Sequence, residues 1–492
     1  MRSFLAKAGI GKPVDISSLA AYRIAFGFCL GLLAFHYYPE AKIISDFGEP
    51  QSFFSFALFK VLQLPVLDAS GMYTLFTAMG LAACCVMLGL FYRASLAVLF
   101  VTQLYLFLLE KSYAPDPRYL YLLVTLLMFF VSANREWSVD CLLRPATRRS
   151  LVPFWQVAVL RAQFACVYLY SGLSKLVHPD WREGRQLSIW LKHLADTPVI
   201  GPVFDQHVTA LVFSWGGMIF DLSIGYLLLN RPTRKFGIAL AVFFHLTNKL
   251  TLDLYLVPWF VLAGTLVFLE PHTPRTVVQA VLGKLTGRAL PAPDLRARQT
   301  SIRPTPAAVI VFLTGYFITQ VFLPLRPYFY PGSSSWTREG LRFSWHLMND
   351  NFKSNMTVFY TPPTDPGCLN IQPFNTWQSW WMSGNPEMIL QYAHLIRDEL
   401  KRCDVARPEV YVDSRIALNG RDDYPLIDPA VDLAKASYPF LKSAPWIMPH
   451  PDIQARGGVP AVSHHPDLAS GRVVTRHRFQ INYDRRDQGF SQ

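Results

Sequence analysis

The chain of 492 residues is 51% hydrophobic and 14% aromatic, yet only 16% charged. Soluble domains carry about 25% charged residues, so this composition excludes an ordinary water-soluble protein and points to lipid contact over much of the length. The formal charge of +12 does not indicate a nucleic-acid binder. No basic stripe interleaves with aromatics in the soluble part, and Lys and Arg retained in cytoplasmic loops give membrane proteins the same excess.

Met1 to Lys12 is basic, and Asp15-Ile-Ser-Ser reads as a helix cap before the first span. Nothing there resembles a signal cleavage site, so the first span is read as retained. Apolar runs follow at residues 18–36, 72–91, 94–110, 119–132, 152–175, 209–229, 235–250, 252–269 and 305–324. A hydrocarbon layer of about 30 Å takes about 20 helical residues. The fourth run and the crowded seventh and eighth are therefore marginal, and the count is eight or nine spans. With nine spans and the N-terminus inside, 17 Lys and Arg fall in inside segments and 9 in outside loops, the asymmetry this orientation requires. It places Asp116–Arg118, Lys175, the His245–Asn248 corner and everything after the ninth span on one non-cytoplasmic face.

Cys29, Cys84, Cys85 and Cys166 lie inside apolar runs and Cys141 in a short basic loop. None has zinc-like spacing, so they read as small buried hydrophobes and no metal site is expected. Cys368 and Cys403 can pair if the C-terminal part lies outside the cytosol.

After about Leu325 the character changes. Pro331-Gly-Ser-Ser-Ser335 reads as a linker. Met356–Tyr360, Glu409–Val412 and Arg472–Thr475 read as strands, and 386–403 as an amphipathic helix. The expected fold is a polytopic α-helical membrane protein with a C-terminal extracytoplasmic, strand-rich α+β domain. The divisions are 1–325 for the transmembrane domain, 326–450 for the α+β domain and 451–492 for a polar, partly disordered tail. The pair His464-His465 in that tail is a weak metal signal.

Few ionisable residues interrupt the apolar runs. Lys175 closes the fifth, in Ser171-Gly-Leu-Ser-Lys175. Such an amine either snorkels to the interface or stays partly buried and acts as a base, because burial disfavours the ammonium form. Asp221 lies inside the sixth run; an acid in hydrocarbon is costly, and is either functional or a hydrogen-bond anchor between helices. His245 and Asn248 share a helix face one turn apart, as a ligand-orienting pair or as packed core. Ser344 and Trp345 follow the ninth run, where Trp also favours an interface on its own account.

Together these segments resemble the vitamin K-dependent γ-glutamyl carboxylases, with their horizontally transferred transmembrane domain. The likeness rests on an ordered series: Ser18-Leu-Ala-Ala-Tyr-Arg-Ile-Ala-Phe-Gly27, Met87-Leu-Gly-Leu-Phe-Tyr-Arg93, Ser132-Ala-Asn-Arg-Glu-Trp-Ser-Val-Asp140 and the run from Val152 to Gln163. It continues through Ser171–Lys175 with Asp180-Trp-Arg-Glu-Gly184, Asp221-Leu-Ser-Ile-Gly225, Phe244-His-Leu-Thr-Asn248, Phe343–Met348, Gln391-Tyr-Ala393, Pro408–Asp413 and Asp428–Asp432. It spans roughly residues 15–450, so both parts of the chain match.

The resemblance implies a metal-free reaction of reduced vitamin K, O2 and CO2. The residue matching Lys175 deprotonates the naphthoquinol, O2 is taken up, and the oxygenated base strips the γ-hydrogen of a peptidyl glutamate. The carbanion adds CO2 and the quinone leaves as the 2,3-epoxide. Asp116, Arg118, Asp221, His245 and Asn248 are the expected supporting residues. Tyr119, Tyr168, Trp181, Ser344 and Trp345 are the expected quinone or peptide contacts. Expected partners are the bilayer, a membrane quinone and a glutamate-containing peptide, with no nucleic acid.

One departure stands out. The vertebrate enzymes carry Asn-Asn-His-Ser before Tyr-Leu-Tyr in the outer loop entering the fourth span, and that histidine belongs to the carboxylation half. Here the loop reads Ala114-Pro-Asp-Pro-Arg118 before Tyr119-Leu-Tyr121. Two alternatives stay open: a quinone epoxidase that does not carboxylate protein, and a non-catalytic scaffold or transporter. The lack of an internal repeat argues against a transporter.

Overall fold

The computed structural model describes residues 11–38, 42–48, 50, 52–113, 116–252, 254, 256–286, 305–371, 374–439, 442–453 and 475–477. All nine apolar runs are helical. They are α1 (Ser17–Phe35), α2 (Ala69–Leu88), α3 (Tyr92–Leu109), α4 (Asp116–Phe130), α5 (Trp155–Val177), α6 (His207–Leu229), α7 (Arg234–Leu252), α8 (Val257–Thr265) and α9 (Ala307–Phe322). Six are long and apolar enough to cross a membrane: α1, α2, α3, α5, α6, and α9 with its extension to Phe329. Helix α4 has only 15 residues, α7 carries Arg234, Lys235 and Lys249, and α8 is short. Length and apolarity alone therefore support six crossings among the described residues, not the eight or nine expected.

Local chemistry sets the helix ends. Asp68 caps α2 by accepting the Gly71 N–H at 2.8 Å, and Gly89 ends it at φ +67°, a left-handed stop that glycine adopts without strain. A Cβ on Gly27 would meet Met87 N at 2.5 Å. Helices α1 and α2 thus touch backbone to backbone, as small residues allow in membranes.

The expected cap at Asp15 takes a different form. Asp15 accepts the Ser17 N–H at 2.8 Å, but it ends a short strand, β1 (Pro13–Asp15), paired with β2 (Leu151–Pro153). Its carboxylate also holds Arg275 at 2.8 Å, and Arg275 reaches Glu136 at 3.1 Å. Buried Arg23 donates to the carbonyls of Ala133, Glu136 and Trp137. This network fastens the 133–149 loop to the start of α1. Asp140 caps α3 from the same loop, accepting the Phe91 N–H at 2.8 Å.

The C-terminal domain is a four-stranded antiparallel sheet, ordered β5 (Tyr424–Pro425), β4 (Val410–Leu418), β3 (Phe352–Tyr360), β6 (Thr475–His477). Every second residue of β3 and β4 is buried, the period of a strand with one face on a core. That core is closed by α10 (Thr376–Ser383) and α11 (Pro386–Arg402). Helix α11 sets Met388, Ile389, Tyr392, Ala393, Ile396 and Leu400 inward. Asn375 and Gln378 form a reciprocal capping box on α10, and Asn385 caps α11 ahead of Pro386. Three expected elements are present: a strand over 356–360, one over most of 409–412, and the helix at 386–403. The strand expected at 472–475 begins at Thr475; residues 472–474 and the His464-His465 pair lie outside the described residues. Cys368 and Cys403 form a disulfide with Cα atoms 5.8 Å apart, tying a turn to the end of α11.

The domain docks on the loops beside α3 and α5. Trp377 Nε1 donates to Ser112 O at 3.1 Å, and Gln378 to the buried Glu110 carboxylate at 2.7 Å. Phe374 stacks on Phe54 with centroids 4.6 Å apart. Arg421, at the β4–β5 turn, pairs with Asp180 just past α5, and Asn419 joins the same carboxylate at 2.7 Å.

Candidate functional site

The site forms where α5 and α6 approach most closely. A Cβ on Gly172 would come within 2.7 Å of Leu222 N, so only glycine permits this contact. The approach aligns Ser171 and Lys175, one turn apart on α5, with Asp221 on α6. Lys175 Nζ donates to Asp221 Oδ2 and to Ser171 Oγ, each at 2.6 Å. Ser171 Oγ donates in turn to Asp221 Oδ2 at 2.8 Å. Lys175 is 5% exposed and Asp221 7%. The lysine therefore does not snorkel; it points into the protein.

Trp181 closes one side of this group. Its ring centroid lies 5.0 Å from Lys175 Nζ, within cation–π range, and its indole N–H donates to Ser214 O at 2.8 Å. Gly217 leaves space beneath the ring. On the other side, Ser174 Oγ accepts from Asn349 Nδ2 at 3.1 Å. The strand-ward segment 343–350 of the C-terminal domain thus reaches the turn that carries Lys175.

That segment is conformationally unusual. Phe343, Trp345 and Met348 have φ of +67°, +60° and +63°. Bulky L-residues avoid this region, and each such residue costs about 1–3 kcal/mol unless its surroundings impose it. Trp345, fully buried, stacks on Tyr119 of α4 at 5.1 Å, and Phe343 packs on the same ring at 4.8 Å. The Tyr119 hydroxyl accepts from Gln320 of α9 at 3.1 Å. Ser344 Oγ donates to Leu341 O within the segment's own turn.

A second polar pair lies deeper. Tyr168, seven residues before Lys175 on α5, bonds His245 of α7 at 2.8 Å between hydroxyl and Nε2. Both rings pack on Phe220, the residue before Asp221, at 5.8 and 5.9 Å. Asn248 lies one turn further along α7 and is partly exposed.

The first turn of α4, residues 116–118, faces elsewhere. Arg118 donates to Tyr113 O at 2.6 Å and to the Tyr37 hydroxyl, with Tyr113's ring 5.0 Å from its guanidinium. Burial pushes the Asp116 carboxyl up to about 7, against the opposing pull of Arg342. Beside it lies a charged group between the two parts of the chain. Lys111 pairs with Glu387, Arg342 reaches the same carboxylate at 3.2 Å, and both cations lie over the Phe56 ring. Burial pushes the Lys111 ammonium down to about 8. Burial also opposes ionisation of Glu387, but Arg342 and Lys111 outweigh it and hold the carboxyl below its usual range.

The expected residues thus fall into groups: Lys175 with Asp221 and Trp181, Tyr168 with His245, and Tyr119 with Trp345 beside Ser344. Arg118, in the first turn of α4, is bonded to Tyr113 and Tyr37. Sequence reasoning missed Ser171, Asn349, Lys111, Arg342 and Glu387. Only Ser171 carried a signal, as the residue one turn before Lys175.

Residues 11–272 match the family model of the HTTM domain, and residues 305–453 match that of the vitamin K-dependent gamma-carboxylase lumenal domain. The chain belongs to the vitamin K-dependent gamma-carboxylase family. No solved structure matches it. For a member of this family, the lumenal-domain match takes in α9 and the whole 343–350 segment, while the HTTM match holds Lys175, Asp221, Tyr168 and His245. The Lys175 group therefore sits where the two matched units meet. Among the described residues no cluster of His, Cys, Asp or Glu is arranged to hold a metal ion.

Proposed function

We propose that this chain is a membrane enzyme that oxygenates reduced vitamin K to its 2,3-epoxide and carboxylates peptidyl glutamate with CO2. The observation that carries this reading is the burial of Lys175 against Asp221, beneath the C-terminal domain at the end of a membrane helix. A lipid-soluble quinol reaches such a place sideways from the bilayer, and a peptide reaches it from the aqueous side. The residues present fit a quinol head. The Trp181 ring lies 5.0 Å from Lys175 Nζ, and the buried indole N–H of Trp345 and Asn349 Oδ1 have no hydrogen-bond partner among the described residues.

Bound reduced vitamin K supplies the chemistry with O2 and, through it, a base strong enough for the glutamyl γ-hydrogen. Lys175 takes the quinol proton on Nζ, as a general base within hydrogen-bond reach does. Asp221 and Ser171 orient that amine, and the carboxylate balances the ammonium that forms, which in a water-poor site is worth far more than in water. Tyr168 and His245 hold the neighbouring helices in register and shape the deeper wall. Trp181 and the 343–350 segment cover the amine and exclude water.

The orientation proposed has the N-terminus in the cytoplasm and the C-terminal domain outside, with nine spans. The excess of Lys and Arg in the inside segments supports it, as does the Cys368–Cys403 disulfide, a bond that persists in oxidising compartments.

The loop Ala114-Pro-Asp-Pro-Arg118, with no histidine, favours one second reading: quinol epoxidation without protein carboxylation. One experiment separates the two. Purified protein receives reduced vitamin K, O2, labelled bicarbonate and a Glu-rich peptide, and epoxide and fixed label are measured apart. Both products, lost together in Lys175→Ala, support the main reading. Epoxide without label selects the second. Neither product from correctly folded protein sinks both.

A further inference from the structure

His346 lies in the strained segment, between Trp345 and Met348, and carries no role so far. Both of its ring nitrogens are buried, and neither has a hydrogen-bond partner among the described residues. Interiors rarely leave such groups unmet, and an unmet one needs a reason. A packing residue here would be apolar, and a structural histidine would be bonded.

Its surroundings point to a ligand. The charges it feels are those of Asp350, His178 and Lys175, and the Tyr328 ring lies 6.0 Å away. Asn349, three residues on, already bonds Ser174 beside Lys175. Burial pushes the His346 imidazole down to about 4, so at neutral pH it carries one N–H and one free lone pair. The same short segment holds an unmet donor, Trp345 Nε1, and an unmet acceptor, Asn349 Oδ1. A carboxylate, which only accepts, matches this set poorly. A hydroxyl, which donates and accepts at once, matches it well. Left-handed backbone at Trp345 and Met348 shows that the fold tolerates strain to keep the residues here.

We propose that His346 is a quinol-binding residue of the Lys175 site, its neutral imidazole accepting the hydrogen bond of a phenolic hydroxyl. This rests on the quinol-oxygenation reading. It also gives the site an imidazole from the C-terminal domain, where the 114–118 loop has none.

The test uses full-length protein in nanodiscs, with His346→Leu and His346→Gln. Menadiol under argon is the probe, followed by tryptophan quenching, and thermal melting is recorded without ligand. The expected result is that His346→Leu melts at or above the wild-type temperature while menadiol binding weakens about tenfold or more. His346→Gln, whose amide oxygen can still accept, recovers part of the binding. A purely structural histidine gives the opposite pattern, a lower melting temperature with unchanged binding, and that overturns the assignment. So does wild-type protein that binds no menadiol. Wild type that binds menadiol through His346 but forms no epoxide in O2 upholds the assignment and removes the oxygenation reading instead.

Discussion

Gly172 and Leu222 meet so closely that a single methyl group on the glycine would lie 2.7 Å from the leucine's backbone nitrogen. This contact, not either side chain's chemistry, decides that Lys175 can reach Asp221. Substituting Gly172→Val is expected to push α5 from α6 and stretch the 2.6 Å Lys175–Asp221 bond. Epoxide formation should fall about 100-fold, since a displacement of about 1 Å at a reacting group has that effect. Wild-type rates from a folded Gly172→Val protein would refute the argument.

The Lys175–Asp221 pair predicts non-additive stability. Asp221→Leu alone leaves the buried Lys175 amine without its partner, and Lys175→Met alone leaves the Asp221 carboxyl without its own; each should cost about 3–5 kcal/mol. The double variant Lys175→Met/Asp221→Leu should regain most of that, because apolar replacements of buried pairs are often neutral. It should still have no activity. Melting temperatures of the four proteins, at fixed detergent and lipid, check the cycle.

Asp116 predicts a pH effect with a definite sign. Its carboxyl is raised by burial to about 7, above the unfolded value of about 3.9. The folded state therefore binds the proton more tightly, and this contribution is complete below about pH 4 and is lost as pH rises through about 7. Asp116→Asn mimics the protonated form. It should leave stability nearly unchanged near pH 3.5 and raise it at pH 8, by roughly 2–4 kcal/mol. Equal effects at both pH values would contradict this.

The disulfide predicts a local cost. Cys403→Ser opens a 35-residue separation, and closing a loop of that size contributes about 4 kcal/mol. The C-terminal domain should become protease-sensitive at a lower temperature, and wild type treated with reductant should follow it. If α1–α8 melt unchanged in the same samples, the effect is confined to the domain.

How much of this was legible in the chain alone follows from the range of each interaction. The nine apolar runs are legible because each helix buries or exposes its own contiguous residues, and all nine are helices. Length and apolarity do not by themselves mark α4, α7 and α8 as crossings; their place in the proposed nine-span arrangement rests on the Lys and Arg asymmetry of the loops. Asp221 was visible as an acid in an apolar run. Its partner was not, because the pairing depends on Gly172, whose lack of a side chain carries no pattern. Lys111 and Glu387 are 276 positions apart, and no periodicity connects them. His346 looked like an ordinary residue after Ser344-Trp345; its distinction is what it fails to touch, and only a three-dimensional arrangement can show that.

The left-handed backbone at Phe343, Trp345 and Met348 has one more implication. No local propensity favours that path, so the segment adopts it only when Tyr119 presses from the membrane side and the sheet pulls from the other. Either half of the chain made alone would let it relax. The Lys175 group therefore gains its Asn349 contact only when the halves seat on each other. An immature or cleaved chain would hold Lys175, Ser171 and Asp221 without the cover that Asn349 and its segment lay over them.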